Sequence, residues 1–260
     1  MNVPSIRILV SLALCASFFI PAAVQADHHE AALDVGGVEG DGGTVKGTVK
    51  FDGKQIPRKP IRMNADPVCE KAHQDAALSQ KWVFGSNDTL QNVFVWVSKG
   101  LEGKTFDTPT TPAVLDQRGC MYIPHVSGIV VNQPLEIRSS DDTLHNINFK
   151  SDKNGTFNLG MPVKGMKETK TFTKEEVGMT YKCDVHPWMN AFMHVVPHPF
   201  FAVTQEYGTF TLKGLPPGEY ELSVWHEFDR FAPDKKTAKV TVEAGKTAEV
   251  TFTYAPAKKE

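Results

Sequence analysis

The chain has 260 residues, with 28 basic and 30 acidic side chains, a formal net charge of −2 at neutral pH and 41% hydrophobic residues. So even a charge balance gives no electrostatic reason to expect nucleic acid, and no basic amphipathic patch points to a membrane surface. The length leaves room for two small domains.

The first element is a secretory signal over residues 1–26. It has an early charge at Arg7, an apolar run over 8–20 and Val24-Gln25-Ala26 as the cleavage site. The run is too short to cross a bilayer, and Leu14 disfavours a lipid anchor on Cys15. With no later apolar stretch of membrane length, the expectation is an exported protein, periplasmic or secreted, with no membrane span after cleavage.

Residues 27–43 are rich in Gly and acidic side chains and read as a flexible lead-in. Alternation of apolar and polar positions then predicts a strand over 44–51, ending at the turn signal Asp52-Gly53. A helix is expected over 67–78. Alternation returns over 93–97, 128–131, 135–138, 144–149 and 192–196, and again over 208–212, 220–225, 238–242 and 248–254. Short strands at this spacing, separated by turns such as Leu215-Pro216-Pro217-Gly218, predict an all-β chain built as β-sandwiches. The Lys258-Lys259-Glu260 tail reads as solvated.

Of four cysteines, Cys15 leaves with the signal, so Cys69, Cys120 and Cys183 remain. An odd count in an oxidising compartment leaves one thiol unpaired. Cys69 and Cys120 lie in separate segments and are expected to form a disulfide that ties them together, whereas Cys183 stands among metal-ligand residue types. The alternative for the first two is a metal site shared with His73 and His125.

Cys183-Asp184-Val185-His186-Pro187-Trp188-Met189 places thiolate, imidazole and thioether at intervals of three within one loop. A trigonal Cys-His-His set with a long axial Met is the ligand field of an electron-transfer copper site, in which soft sulfur favours Cu(I) and imidazole suits Cu(II). Zinc takes Cys and His equally well but avoids thioether, so Met189 favours copper. The fourth ligand expected is His145, on the alternating segment 144–149, with Asn146 hydrogen-bonding across to the Cys183 loop and holding the two ligand segments in register.

On these residues the stretch 113–197 resembles a cupredoxin. The Cys183-x-x-His186-x-x-Met189 loop is similar to the short ligand loop of amicyanin-type members, and His145-Asn146 matches the family's remaining ligand. The resemblance implies a Greek-key β-sandwich holding one type 1 (blue) copper. His145 and His186 would be the equatorial imidazoles, Cys183 the thiolate and Met189 the axial thioether. It also implies an electron carrier rather than an enzyme. Its exit would be His186, near the surface beside Pro187 and Trp188, facing a protein redox partner of dehydrogenase or cytochrome type. Chains of this two-module kind resemble those labelled methylamine-utilisation-like.

Residues 207–225 resemble the carboxypeptidase regulatory-like (transthyretin-like) β-sandwich, expected over 198–260. The segments 44–53 and 93–97, within an N-terminal β segment 44–112, resemble its first strands. A copper domain inserted into a split sandwich is the topology this implies.

Several secondary features are open to metal. His194 and His198 stand four apart, a spacing that puts strand side chains on one face, although packing between domains explains them as well. Cleavage after Ala26 would create the N-terminus Asp27-His28-His29, whose free amine and third-position histidine form a square-planar Cu(II) site. Two further functions therefore stand beside the carrier. One is copper handling through that terminus, and the other is an oxidoreductase with a second copper built from His73, His125, His194 or His198. No Gly-x-Ser-x-Gly elbow, Walker loop or His-Glu-x-x-His motif points to hydrolysis.

Overall fold

A computed structural model describes residues 42–228 and 236–255. The expected signal segment 1–26, the triplet Asp27-His28-His29, nearly all of the expected lead-in 27–43 and the Lys258-Lys259-Glu260 tail lie outside the described residues. The described residues are all β apart from short helical turns. Strand β1 (Gly43–Phe51) and strand β2 (Phe94–Lys99) flank a short helix, α1 (Pro67–Lys71). Next come β3 (Ala113–Gln117), β4 (Tyr122–Ile123), β5 (Val126–Val130), β6 (Pro134–Ser139) and β7 (His145–Lys150). The middle of the chain closes with β8 (Phe157–Met161), β9 (Lys167–Thr171), β10 (Glu176–Lys182) and β11 (Asn190–Val196). The last are β12 (Phe201–Val203), β13 (Thr209–Leu215), β14 (Gly218–Trp225), β15 (Thr237–Val242) and β16 (Thr247–Tyr254).

Helix α1 is shorter than the helix expected over 67–78. Asp66 caps its start, accepting from Val68 N at 2.7 Å, but after Ala72 the backbone is claimed elsewhere. Ile61 N–H donates to Ala77 O, and residues 60 and 78 form an antiparallel bridge, so 77–78 lies extended against 60–61. Pairing with a distant segment overrides local helix preference here.

The strands form four sheets in two facing pairs. In one pair the orders are β13-β1-β16 and β12-β2-β14-β15, with β1 parallel to β16. Their facing residues, including Val45, Val49, Val95, Val97, Leu222 and Phe252, make one buried core. The other pair has the orders β4-β3-β6-β9 and β5-β11-β10-β7-β8, around Leu115, Ile129, Ile137, Ile147, Phe149 and Tyr181. Strands 113–196 therefore pair only among themselves, whereas β1 and β2 pair with strands that follow residue 200.

The period of two explains how the pairs of sheets meet. On β2, Val95 and Val97 enter the first core, while Phe94 and Trp96 point the other way. Phe94 joins Val126 of β5 and Val196 of β11 in a third apolar cluster between the two sandwiches. Gly128 of β5 is required at this junction, because a Cβ there would stand 2.5 Å from the Phe94 ring.

His194 of β11 lies in that junction, fully buried. Its ring stacks on Phe94 at 4.0 Å between centroids and meets Trp225 at 4.5 Å, and its Nδ1 accepts from Gly178 N–H. Burial alone lowers its pKa to about 3. The unfolded chain takes up this proton near pH 6.5, so the stability the neutral ring contributes is full above that pH and lost as pH falls toward 3. His194→Phe should lose stability at neutral pH through the unpaired Gly178 N–H. Between pH 6 and 4 it should escape a decline of up to about 1.4 kcal/mol per pH unit. Denaturant melts across that range measure this directly; parallel pH slopes for the two proteins would refute it.

Candidate metal centre

Residues 183–189 form the turn between β10 and β11. Two backbone hydrogen bonds close it: Cys183 N–H donates to Met189 O at 3.1 Å, and Met189 N–H to His186 O at 2.9 Å. A third, from His186 N–H to Cys183 Sγ at 3.4 Å, curls the loop around the thiol. His145 opens β7, the neighbour of β10 in the sheet. Pairing of these strands thus brings together residues 38 apart.

The donors converge. His145 Nδ1 stands 3.1 Å from His186 Nδ1, and Cys183 Sγ 3.8 Å from the latter. All three atoms lie within 4.8 Å of one another, and all three side chains are buried. Metal bonds of about 2.0 Å to imidazole and about 2.3 Å to thiolate put trigonal donors about 3.5–3.8 Å apart, close to the separations of His186 Nδ1 from His145 Nδ1 and from Cys183 Sγ. Met189 is buried in the same apolar cluster as Cys183.

Each imidazole has a carboxylate on its far nitrogen. His145 Nε2–H donates to Asp141 Oδ2 at 3.0 Å, and His186 Nε2–H to Asp66 Oδ2 at 3.1 Å. The hydrogen-bond network assigns these tautomers. With both protons on Nε2, two Nδ1 lone pairs face each other beside a thiol, an arrangement that demands a cation between them, proton or metal.

The titrating groups respond accordingly. Burial disfavours a charged His145, but the hydrogen bonds to Asp141 and Cys183 prevail and raise its pKa to about 9. Burial also raises the Cys183 thiol, yet hydrogen bonds from His145 and neighbouring backbone N–H groups bring it below the ordinary thiol value. His186 is lowered, mainly by burial, with Asp66 opposing. Asp66 is held down at about 2, chiefly by the Thr143 hydroxyl at 2.6 Å, despite partial desolvation.

Local geometry fixes both carboxylates. Gly119 and Cys120 are left-handed, with φ of 62° and 54°, and their successive N–H groups close on the two oxygens of Asp141 at 2.7 Å each. Such a nest suits an anion, and Gly supplies one of its two left-handed positions at no steric cost. Asp66 divides its oxygens: one caps α1, and the other takes Thr143 and His186. The sequence reading missed both residues, because Asp66 lies 120 positions from His186 and Asp141 stands in a loop without periodicity. The N-cap pattern of Asp66-Pro67 was the one visible signal.

Cys69 and Cys120 are bridged, joining α1 to the Asp141 nest. Cys69 Sγ lies 3.6 Å from His186 Nε2. The disulfide, α1 and Asp66 thus cover the edge of His186, which is only 2% exposed. This corrects the expected surface position of His186: a segment 120 residues upstream folds over a face that the Cys183 loop alone would leave open. Pro187 is exposed and Trp188 half-buried. The Trp188 ring centroid is 5.0 Å from that of His186, and its Nε1–H donates to Cys120 O at 3.0 Å. Both residues line a groove of about 400 Å³ with Ile61, Met121 and Arg62.

Asn146 joins the two ligand segments. Its Oδ1 accepts from Asp184 N–H at 2.7 Å and from the Cys183 thiol at 3.3 Å, while its Nδ2 donates to Asp184 Oδ2. The remaining histidines do not assemble a second cluster among the described residues. His73 pairs with Gly119 O, and His125 lies between Asn190 O and Glu227. His198 pairs with Val97 O, beyond the end of β11 and apart from His194 in the junction. The bridging of Cys69 and Cys120 likewise removes the alternative Cys-His site.

An all-β protein with a buried, convergent His-Cys-His donor set belongs by its geometry among proteins able to hold a soft or borderline metal ion. No protein-family model matches the chain, and no curated protein is significantly similar to it. Among solved structures, the copper-containing nitrite reductase of Thermus scotoductus SA-01 is similar at 23% identity over 38% of this chain, with a TM-score of 0.29. The chain covers 25% of that enzyme's length. A purple cupredoxin from Nitrosopumilus maritimus is 22% identical over 32% of this chain and 99% of its own, with a TM-score of 0.29. A Cu(I) amicyanin variant is 19% identical over 39% and 98% respectively, with a TM-score of 0.30.

Proposed function

We propose that this is an exported type 1 copper protein of the cupredoxin kind, periplasmic in location, that carries single electrons between protein partners. The observation that carries this reading is the meeting of His145 Nδ1, His186 Nδ1 and the Cys183 sulfur at one buried point, with Met189 buried in the same apolar cluster as Cys183. Copper there supplies a one-electron Cu(II)/Cu(I) couple. Two imidazoles, a lowered thiol and a thioether match that couple better than zinc, which has little use for Met189.

The residues around the donors favour carriage over catalysis on the metal. His145, Cys183, His186 and Met189 would hold copper through protein donors alone, and α1 with the Cys69–Cys120 bridge covers the edge of His186, which is 2% exposed. The two backbone bonds within 183–189, together with Asn146, hold the donors in one geometry, so little rearrangement need accompany a change of charge. Because the His186 edge is covered, the exit runs through Trp188, whose indole touches His186 and lines the groove beside Pro187. A dehydrogenase or cytochrome-type partner would dock there.

Titration of the metal-free protein with copper tests the reading. One tight equivalent that is reduced and reoxidised reversibly is expected. A second tight equivalent would contradict a simple carrier and favour copper handling, with Asp27-His28-His29 as the first place to look.

A further inference from the structure

We propose that Asp66 and Asp141 are positioning residues of this centre, which set the imidazole tautomers and hold the copper couple toward Cu(II). The inference rests on the copper reading above. Each carboxylate accepts the Nε2–H of one ligand imidazole, at 3.1 Å from His186 and 3.0 Å from His145. A carboxylate in this place fixes the proton on Nε2, aims the Nδ1 lone pair at the metal and makes the ring a stronger donor. Stronger donation and two nearby negative charges both stabilise the more highly charged oxidation state.

Neither carboxylate is free to turn away. Asp66 is fixed by the Val68 N–H and the Thr143 hydroxyl, and Asp141 by the N–H groups of Gly119 and Cys120. The disulfide joins the two arrangements, since Cys69 follows the Asp66 cap and Cys120 is half of the nest around Asp141. The segment that covers the site therefore also delivers one of its two carboxylates.

The test is the reduction potential of the copper-loaded full chain in Asp66→Asn and Asp141→Asn, with Asp75→Asn as the charge control. Asp75 lies exposed in the same covering segment. An asparagine carries no charge, and its one acceptor oxygen holds the ring Nε2–H less strongly than a carboxylate does, so the ring keeps its Nδ1 lone pair toward the metal but donates less. Each of the two variants should shift the couple toward Cu(I) at least tenfold, a rise of about 59 mV for one electron, while the thiolate-to-copper absorption persists. Asp75→Asn should leave the potential in place. Should Asp141→Asn, the more buried change, fail to fold, Asp66→Asn decides alone. Potentials equal to that of the Asp75→Asn control, or lower than the wild type, overturn the proposal. Absence of thiolate-to-copper absorption in the wild type would instead defeat the copper reading on which it stands.

Discussion

Cys183→Ser is expected to abolish thiolate-to-copper absorption and to weaken copper binding by at least about a hundredfold, the upper end of what losing a ligand's supporting hydrogen bond alone costs. The substitution is nearly isosteric. A serine hydroxyl can donate to Asn146 Oδ1 as the thiol does at 3.3 Å, and it can accept from His186 N–H. The metal-free fold should therefore change by no more than about 1 kcal/mol. Copper affinity and colour therefore separate a ligand from a core residue: a purely structural cysteine, 4% exposed, would leave both untouched on this change. Copper titration and denaturant melts of the two proteins measure both sides. Unchanged copper affinity or colour in the variant would contradict the assignment.

The second large effect is expected from Cys69→Ala combined with Cys120→Ala. The bridge spans a sequence separation of 51, and closing a loop of that size stabilises the fold by about 4 kcal/mol in the chain-entropy treatment. Removing it should lower stability by that order in denaturant melts. It should also loosen α1 from the Asp141 nest and uncover the edge of His186. A small hydrophilic oxidant should then react faster with the reduced protein, because it no longer depends on Trp188 as the route in. The donors themselves sit on β7 and in the 183–189 turn, which the bridge does not tie, so copper binding itself should survive. Lost stability with an unchanged oxidation rate would show that the covering segment does not control access.

Much of this architecture is legible in the sequence where one strand face is apolar and the other is not. Strands β1, β7, β14 and β16 announce themselves in this way. Strands β9 and β10 do not: Lys167–Thr171 has no large apolar side chain, and Glu176–Lys182 mixes Glu, Gly and Lys with its buried Met179 and Tyr181. Their places are set by partners in the sheet, which a period of two cannot report. Helix 67–78 failed for the same reason, because residues 77–78 are drawn into pairing with 60–61.

The donor set follows a similar division. Cys183, His186 and Met189 share one short loop, so their spacing carries the chemistry, and His145 is reached through the neighbouring strand. The pairing of Cys69 with Cys120 was legible from the odd cysteine count and is present, but its place over His186 and the part played by Asp66 were not, since those residues come from sequence-distant segments with no motif linking them to the ligand loop. The cover they form is what separates this centre from the exposed edge that the loop alone leads one to expect.

The most direct test of the central claim is the combined visible and EPR spectrum of the full-length protein loaded with one equivalent of Cu(II). Ligation by His145, Cys183 and His186 predicts an intensely coloured protein with strong thiolate-to-copper charge transfer and a single copper species. A colourless complex, with the spectrum of copper held by nitrogen and oxygen alone, would contradict it.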